Sequence, residues 1–203
     1  MIEVTRTDII NYFIKRYGYN SYLEIGVLDT RLNFDKIMVS DKEGVDPETH
    51  NIKFRMASDD FFNINTRTFD VIFVDAYHEE NQLYKDIYNS LRILNEGGVL
   101  ILHDCNPTEE IYQSRTPAPC MPWTGDCWRA FVRFRQENSD YMAFVINTDF
   151  GMGIIKKTSK PILVPVINEA LSYFGLEKNR KEWLNLIEVD DLNETLIIYE
   201  GIL

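Results

Sequence analysis

A doubly wound α/β fold is predicted by three features of this 203-residue sequence. Val71-Ile72-Phe73-Val74 and Val99-Leu100-Ile101-Leu102 are unbroken apolar runs of strand length, as expected of strands covered on both faces. Between them Leu83, Ile87, Leu91 and Leu94 recur at helical spacing. A strand, a helix and a strand in that order make a parallel unit whose sheet carries helices on each side.

The remaining elements follow along the chain. Ile9, Ile10, Phe13, Ile14 and Tyr17 share one helical face, and Gly18 stops that helix. Tyr22-Leu23-Glu24-Ile25-Gly26 reads as a buried strand. A brief helix at 33–38 precedes a second strand ending in Gly44-Val45-Asp46-Pro47. A third strand is expected at 52–57, running into a helix that opens at Ser58-Asp59-Asp60. The runs ending at Asp75 and at His103-Asp104 are then the fourth and fifth strands, with Gly97-Gly98 breaking the helix between them.

Four prolines make 105–125 a long loop, and Trp128, Phe131, Val132 and Arg135 fit a helix after it. The segments 141–146 and 153–157 read as a closing antiparallel hairpin around Asp149-Phe150-Gly151. Beyond Lys160 come one or two helices and an apolar, strand-like tail, Leu196-Ile197-Ile198-Tyr199. The expected division is a sheet domain at 1–159 and a helical extension at 160–203, packed on the same domain or on a partner subunit as in a homodimer.

Composition narrows the function. A formal net charge of −11 argues against nucleic acid or an anionic membrane as partner, since both reward clustered Lys and Arg. No apolar run approaches the ~20 residues of a membrane span, and the start MIEVTRTDII lacks the basic and apolar regions of a signal peptide. The cytoplasm is the expected location. Cys105, Cys120 and Cys127 form no CxxC pair, which argues against a structural zinc site and for free thiols.

Polar residues collect where the strands end: Glu24 and Gly26, Asp46, Ser58 and Asp59, Asp75, and His103-Asp104. Ligands of open α/β sheets bind outside the carboxyl ends of the strands. Each of these residues alone could be a turn or a helix cap; the joint pattern marks a binding cleft.

The series YLEIGV, GVDP, MASDDFF, FDVIFVDAYHE and LNEGGVLILHDCNP resembles the successive motifs of class I S-adenosylmethionine-dependent methyltransferases. The likeness is greatest to a bacterial group associated with cell-surface carbohydrate synthesis, which TPAPCMPWTGDCWRAF and NTDFGMGIIKK also resemble. It covers about residues 20–157. The resemblance implies a Rossmann-like, mostly parallel seven-stranded sheet with a C-terminal antiparallel hairpin, and S-adenosylmethionine as cofactor. It further implies that Glu24 and Gly26 lie along the cofactor's first loop, that Asp46 accepts from the ribose hydroxyls, that Ser58 and Asp59 meet the adenine edge, and that Asp75 sits near the methionine portion. Carboxylates suit a ligand carrying a sulfonium and an ammonium. Gly26 is followed by Val27-Leu28-Asp29-Thr30 with no second glycine, which excludes a GxGxxG fingerprint and a nicotinamide enzyme.

The implied reaction is O-methylation of a small polar acceptor, expected to be a sugar hydroxyl. His78, three residues past Asp75, stands where catechol-type O-methyltransferases carry a lysine base; it is expected either as the general base or as a residue that caps the following helix or hydrogen-bonds a loop. Asp104 would orient His78 or bind the acceptor. Asp75, His103 and Asp104 match the positions of a magnesium site, with His103 where a carboxylate is expected. Trp123 offers a flat apolar face to a sugar ring, Arg115 a charge to an anionic substituent, and Trp128 falls on the apolar face of its helix. The alternative is a non-catalytic module of the same fold that partners a glycosyltransferase.

Overall fold

The computed structural model describes residues 4–159, 161–167 and 170–201. Helix α1, Arg6–Tyr17, starts where Asp8 accepts from both the backbone N–H and the hydroxyl of Thr5 (2.9 and 2.7 Å). It ends at Gly18, which takes the left-handed conformation (φ 67°). Strand β1, Ser21–Ile25, is buried along its whole length. Next come β2, Asp41–Val45, helix α2, Ser58–Ile64, strand β3, Phe69–Val74, and helix α3, Glu80–Arg92. Strand β4, Leu94–Leu102, leads through the long loop to helix α4, Cys127–Glu137. The hairpin β5, Tyr141–Ile146, and β6, Met152–Lys157, is followed by helix α5, Tyr173–Leu184, strand β7, Leu186–Ile187, and helix α6, Leu192–Glu200.

The seven strands lie in the order β2-β1-β3-β4-β6-β5-β7. Strands β1 to β4 run parallel, and β6 is antiparallel to both its neighbours. This is the mixed, doubly wound sheet expected. One face packs on α3 and α4 through Leu83, Ile87, Trp128 and Phe131, and the other on α1 and α6 through Ile10, Phe13 and Leu196. Among the described residues no helix is long and apolar enough to cross a membrane.

Three expectations need correction. The segment 52–57 is not a strand: Phe54 makes a single bridge to Val45, while Lys53 turns to Glu43 (2.5 Å) and Arg55 to the Pro47 carbonyl (3.2 Å). The seventh strand is β7, parallel to β5. Helix α3 ends at Arg92, short of Gly97-Gly98: Leu94 opens β4, where it pairs with Phe69, and both glycines lie within that strand. The tail 196–199 is helical within α6, since its β-branched pair is outweighed by packing: Leu196 is fully buried and Tyr199 stacks on Phe144 at 6.1 Å.

Candidate functional site

From β1 the chain crosses to β2 on one side and then returns to β3 on the other. The carboxyl ends of β1 and β3 therefore form the switch point, and a cavity of about 870 Å³ opens there. Glu24, Gly26, Asp46, Ser58, Asp59 and Asp75 all line it, as do His78, His103, Asp104 and Trp123.

Backbone bonds stitch the three strand ends together. The Gly26 N–H donates to the Val45 carbonyl and the Asp75 N–H to the Ile25 carbonyl, both at 2.8 Å. Gly26 has φ 87°, and a Cβ there would fall 2.0 Å from the Asp75 carbonyl oxygen; only glycine fits. Asp46 holds the next turn: it accepts from the backbone N–H groups of Leu28 (3.0 Å), Glu48 and Thr49 (both 2.8 Å). Burial raises its pKa, but these donors outweigh burial and bring it below the ordinary value.

Glu24 is buried beneath that loop, where Tyr22 Oη and Asn33 Nδ2 donate to Oε2 (2.5 and 2.9 Å). Burial raises its pKa to about 8. At the opposite wall Ser58 and Asp59 begin α2, and Gln82 of α3 donates to both at 3.3 and 3.2 Å. Gln82 also lines the cavity.

The other end of the cavity is an ionic cluster. Asp75 Oδ2 accepts from Arg6 Nη1 at 2.5 Å, and Asp75 Oδ1 lies 3.3 Å from His78 Nε2 and 3.3 Å from His103 Nδ1. Asp104 Oδ2 lies 3.2 Å from the same two nitrogens. Asp149 pairs with Arg6 through Nε (3.0 Å) and with His103 Nε2 (3.2 Å). Burial raises the pKa of Asp75, yet the histidines and Arg6 outweigh burial and hold the carboxyl far below its usual range. For both histidines burial lowers the pKa, but the facing carboxylates dominate and raise it.

His78 is fixed from above. Its Nδ1 lies 3.1 Å from the Trp123 carbonyl oxygen, and the Trp123 indole covers the ring at a centroid distance of 4.6 Å. Gly125 (φ 57°) lets this loop descend: a Cβ there would meet the His78 carbonyl at 1.8 Å. His78 does not cap α3, where Glu79 accepts from the Gln82 N–H.

Two sequence expectations change. Arg115 lies outside the cavity wall and spends its charge on Asp126 (3.0 Å) and Glu79 (3.1 Å). The guanidinium at the site is that of Arg6, and neither it nor Asp149 is legible in the sequence as a site residue: Arg6 stands 69 residues from Asp75 and 143 from Asp149, so no local spacing signals either. Trp128 is core: it is fully buried and stacks on Trp183 at 6.2 Å. The set Asp75, His103 and Asp104 does not fit magnesium, which prefers oxygen ligands throughout; one of its three donors is an imidazole nitrogen.

Residues 24–105 match a family described as a methyltransferase domain. Solved structures of the same fold include an O-methyltransferase, TomG, from Streptomyces achromogenes in complex with S-adenosylmethionine (TM-score 0.53, 16% identity, 74% of this chain and 78% of that one). They also include an S-adenosylhomocysteine-bound methyltransferase from Podospora anserina (0.52, 14%, 76% and 78%) and an O-methyltransferase from Bacillus cereus with S-adenosylhomocysteine (0.51, 16%, 73% and 79%). No curated protein matches the chain by sequence. The matched segment thus runs from β1 to just past β4, and the likeness to the solved structures is one of fold.

Proposed function

We propose that the protein transfers the methyl group of S-adenosylmethionine to a hydroxyl oxygen of a small polar acceptor, a sugar hydroxyl. One observation carries this reading: a single cavity joins the wall of Gly26, Asp46 and Ser58 to the end where His78, Asp104 and Trp123 converge. The cofactor's ribose and adenine lie against the first group, with the ribose using the acceptor position left on Asp46 Oδ2. Its ammonium and sulfonium face the acidic middle, near Asp75. The acceptor enters beside Trp123 and Phe150, whose rings offer flat faces to a sugar.

In the transfer the acceptor oxygen forms a bond to the methyl carbon as the carbon–sulfur bond breaks. The electron pair goes to sulfur, leaving S-adenosylhomocysteine. The hydroxyl proton is taken by the His78–Asp104 pair, whose Nε2 and Oδ2 lie 3.2 Å apart, while the Trp123 carbonyl holds the ring through Nδ1. The solved structures named as O-methyltransferases support oxygen as the acceptor atom; the likeness of the sequence motifs to the carbohydrate-associated group supports a sugar.

Isothermal titration with S-adenosylhomocysteine, followed by methyl transfer to a panel of sugars, tests this reading. Micromolar binding and a methylated sugar hydroxyl are expected. Cofactor binding without transfer to any hydroxyl compound would favour the non-catalytic module instead.

A further inference from the structure

Arg6, at the start of α1, is fixed from two sides. Asp149 accepts along one edge of the guanidinium, Oδ2 from Nε and Oδ1 from Nη2, both at 3.0 Å. Asp149 Oδ2 also accepts from the Arg6 backbone N–H at 2.8 Å, and Asp75 Oδ2 accepts from Nη1 at 2.5 Å. A guanidinium carries five N–H groups. Among the described residues these bonds engage three of them, which leaves one on each Nη. The next residue, Thr7, donates to Asn33 at 2.7 Å, and Asn33 Nδ2 donates to Glu24 at the end of β1. The start of α1 is thereby tied to the ends of both β1 and β3, and Arg6 lines the cavity between them.

We infer that Arg6 receives the α-carboxylate of the cofactor's methionine portion across Nη1 and Nη2, while Asp75 faces the ammonium on the same carbon. The inference rests on the cofactor site proposed above. Charge selects the ligand group. Six carboxyl groups line the cavity, and among the described residues Arg6 is the only lysine or arginine there. The two histidines face Asp75 and Asp104 and spend their charge on them. A ligand carboxylate placed anywhere else along this wall would meet like charge. A neutral sugar brings no such group, whereas the cofactor brings one. The ammonium and carboxylate of an amino acid share a carbon, so an adjoining Asp and Arg meet both at once. The planar fork suits a carboxylate, and Asp149 holds it in place before the ligand arrives.

Calorimetry with two ligands tests the assignment without methyl transfer: S-adenosylhomocysteine and its decarboxylated form, which lacks only the α-carboxylate. The native protein is expected to bind S-adenosylhomocysteine at least roughly tenfold more tightly. Arg6→Met is expected to weaken S-adenosylhomocysteine roughly thirtyfold and to strengthen the decarboxylated ligand, whose ammonium then meets an Asp75 relieved of its cation. Misfolding cannot produce that gain. Arg6→Lys keeps the charge without the fork and is expected to fall between. Equal affinity of the native protein for the two ligands would overturn the assignment and leave Arg6 to a carboxylate on the acceptor. Equal losses of both ligands in an Arg6→Met protein with native circular dichroism would make Arg6 a structural tie instead. Failure of the native protein to bind S-adenosylhomocysteine would overturn the cofactor reading, and this assignment with it.

Discussion

The Cβ that Gly26 lacks would stand 2.0 Å from the carbonyl oxygen of Asp75. The loop after β1 therefore rests directly on the end of β3, and the glycine sets the floor of the cofactor cleft. Gly26→Ala must push the two apart and also place alanine at φ 87°, a conformation it resists. The expected result is at least a roughly tenfold loss of S-adenosylhomocysteine affinity by calorimetry, with a melting temperature several degrees lower. Unchanged binding in a folded alanine variant would show that the close approach does not shape the site.

If Asp46 holds the cofactor's ribose as proposed, it has two tasks that a pair of variants separates. Its Oδ1 accepts two backbone N–H groups and its Oδ2 one, so one acceptor position is left on Oδ2 for the cofactor. Asp46→Ala removes both tasks. Asp46→Asn keeps the Glu48 and Thr49 bonds while turning an amide donor toward Leu28 and the ribose. Both variants are expected to weaken S-adenosylhomocysteine by roughly ten- to a hundredfold, since bonds to charged groups contribute about 1.5–3 kcal/mol. Only the alanine should lower the melting temperature by more than a few degrees. An asparagine variant with native affinity would remove Asp46 from the ribose.

The strands and the cleft were legible for a common reason. Val71 to Val74 and Val99 to Leu102 are apolar on both faces, and the residue following each such strand falls at the ligand end of the sheet whatever the rest of the chain does. Glu24, Asp46, Asp75 and Asp104 could therefore be placed from their neighbours alone. The segment 52–57 misled because Ile52, Phe54 and Met56 alternate with Lys53 and Arg55 as in a strand, yet Phe54 alone makes a bridge. Leu94 fell on a helical spacing although its partner, Phe69, belongs to another strand. Arg6 and Asp149 could not be found this way: a helix start and a hairpin turn meet only when the sheet is closed. The same closure leaves Arg115 with Asp126 and Glu79, outside the cleft.

Trp123 covers His78 at 4.6 Å while its indole N–H donates to the Ser114 carbonyl at 2.6 Å. In the proposed reading the ring stands at the acceptor end, away from the adenosine. Trp123→Ala is expected to raise the acceptor KM several-fold, with S-adenosylhomocysteine affinity changed less than twofold, a stacked aromatic contact contributing about 0.5–1.5 kcal/mol. Trp123→Phe should recover most of the loss. Gly125→Ala, whose methyl would collide with the His78 carbonyl, should lower kcat as well. Equal losses of cofactor and acceptor binding in Trp123→Ala would mean that the ring supports the whole cavity.

Glu24 makes stability depend on pH in a direction opposite to most carboxylates. Burial, with Asp75 adding to it, lifts its folded pKa to about 8 from the ordinary 4.5, although the donors Tyr22 and Asn33 pull the other way. Between these two values the folded protein holds a proton that the unfolded chain has released. The contribution is therefore fully present below pH 4.5 and is lost as the pH rises toward 8, by about 1.4 kcal/mol for each unit in that window. Glu24→Gln keeps the shape and an oxygen acceptor without an ionisable proton. Its melting temperature is expected to exceed the native value at pH 8 and above, to approach it near pH 5, and to vary less between the two. Parallel melting curves for the two proteins from pH 5 to 9 would mean that Glu24 ionises in the folded state as it does in the unfolded chain.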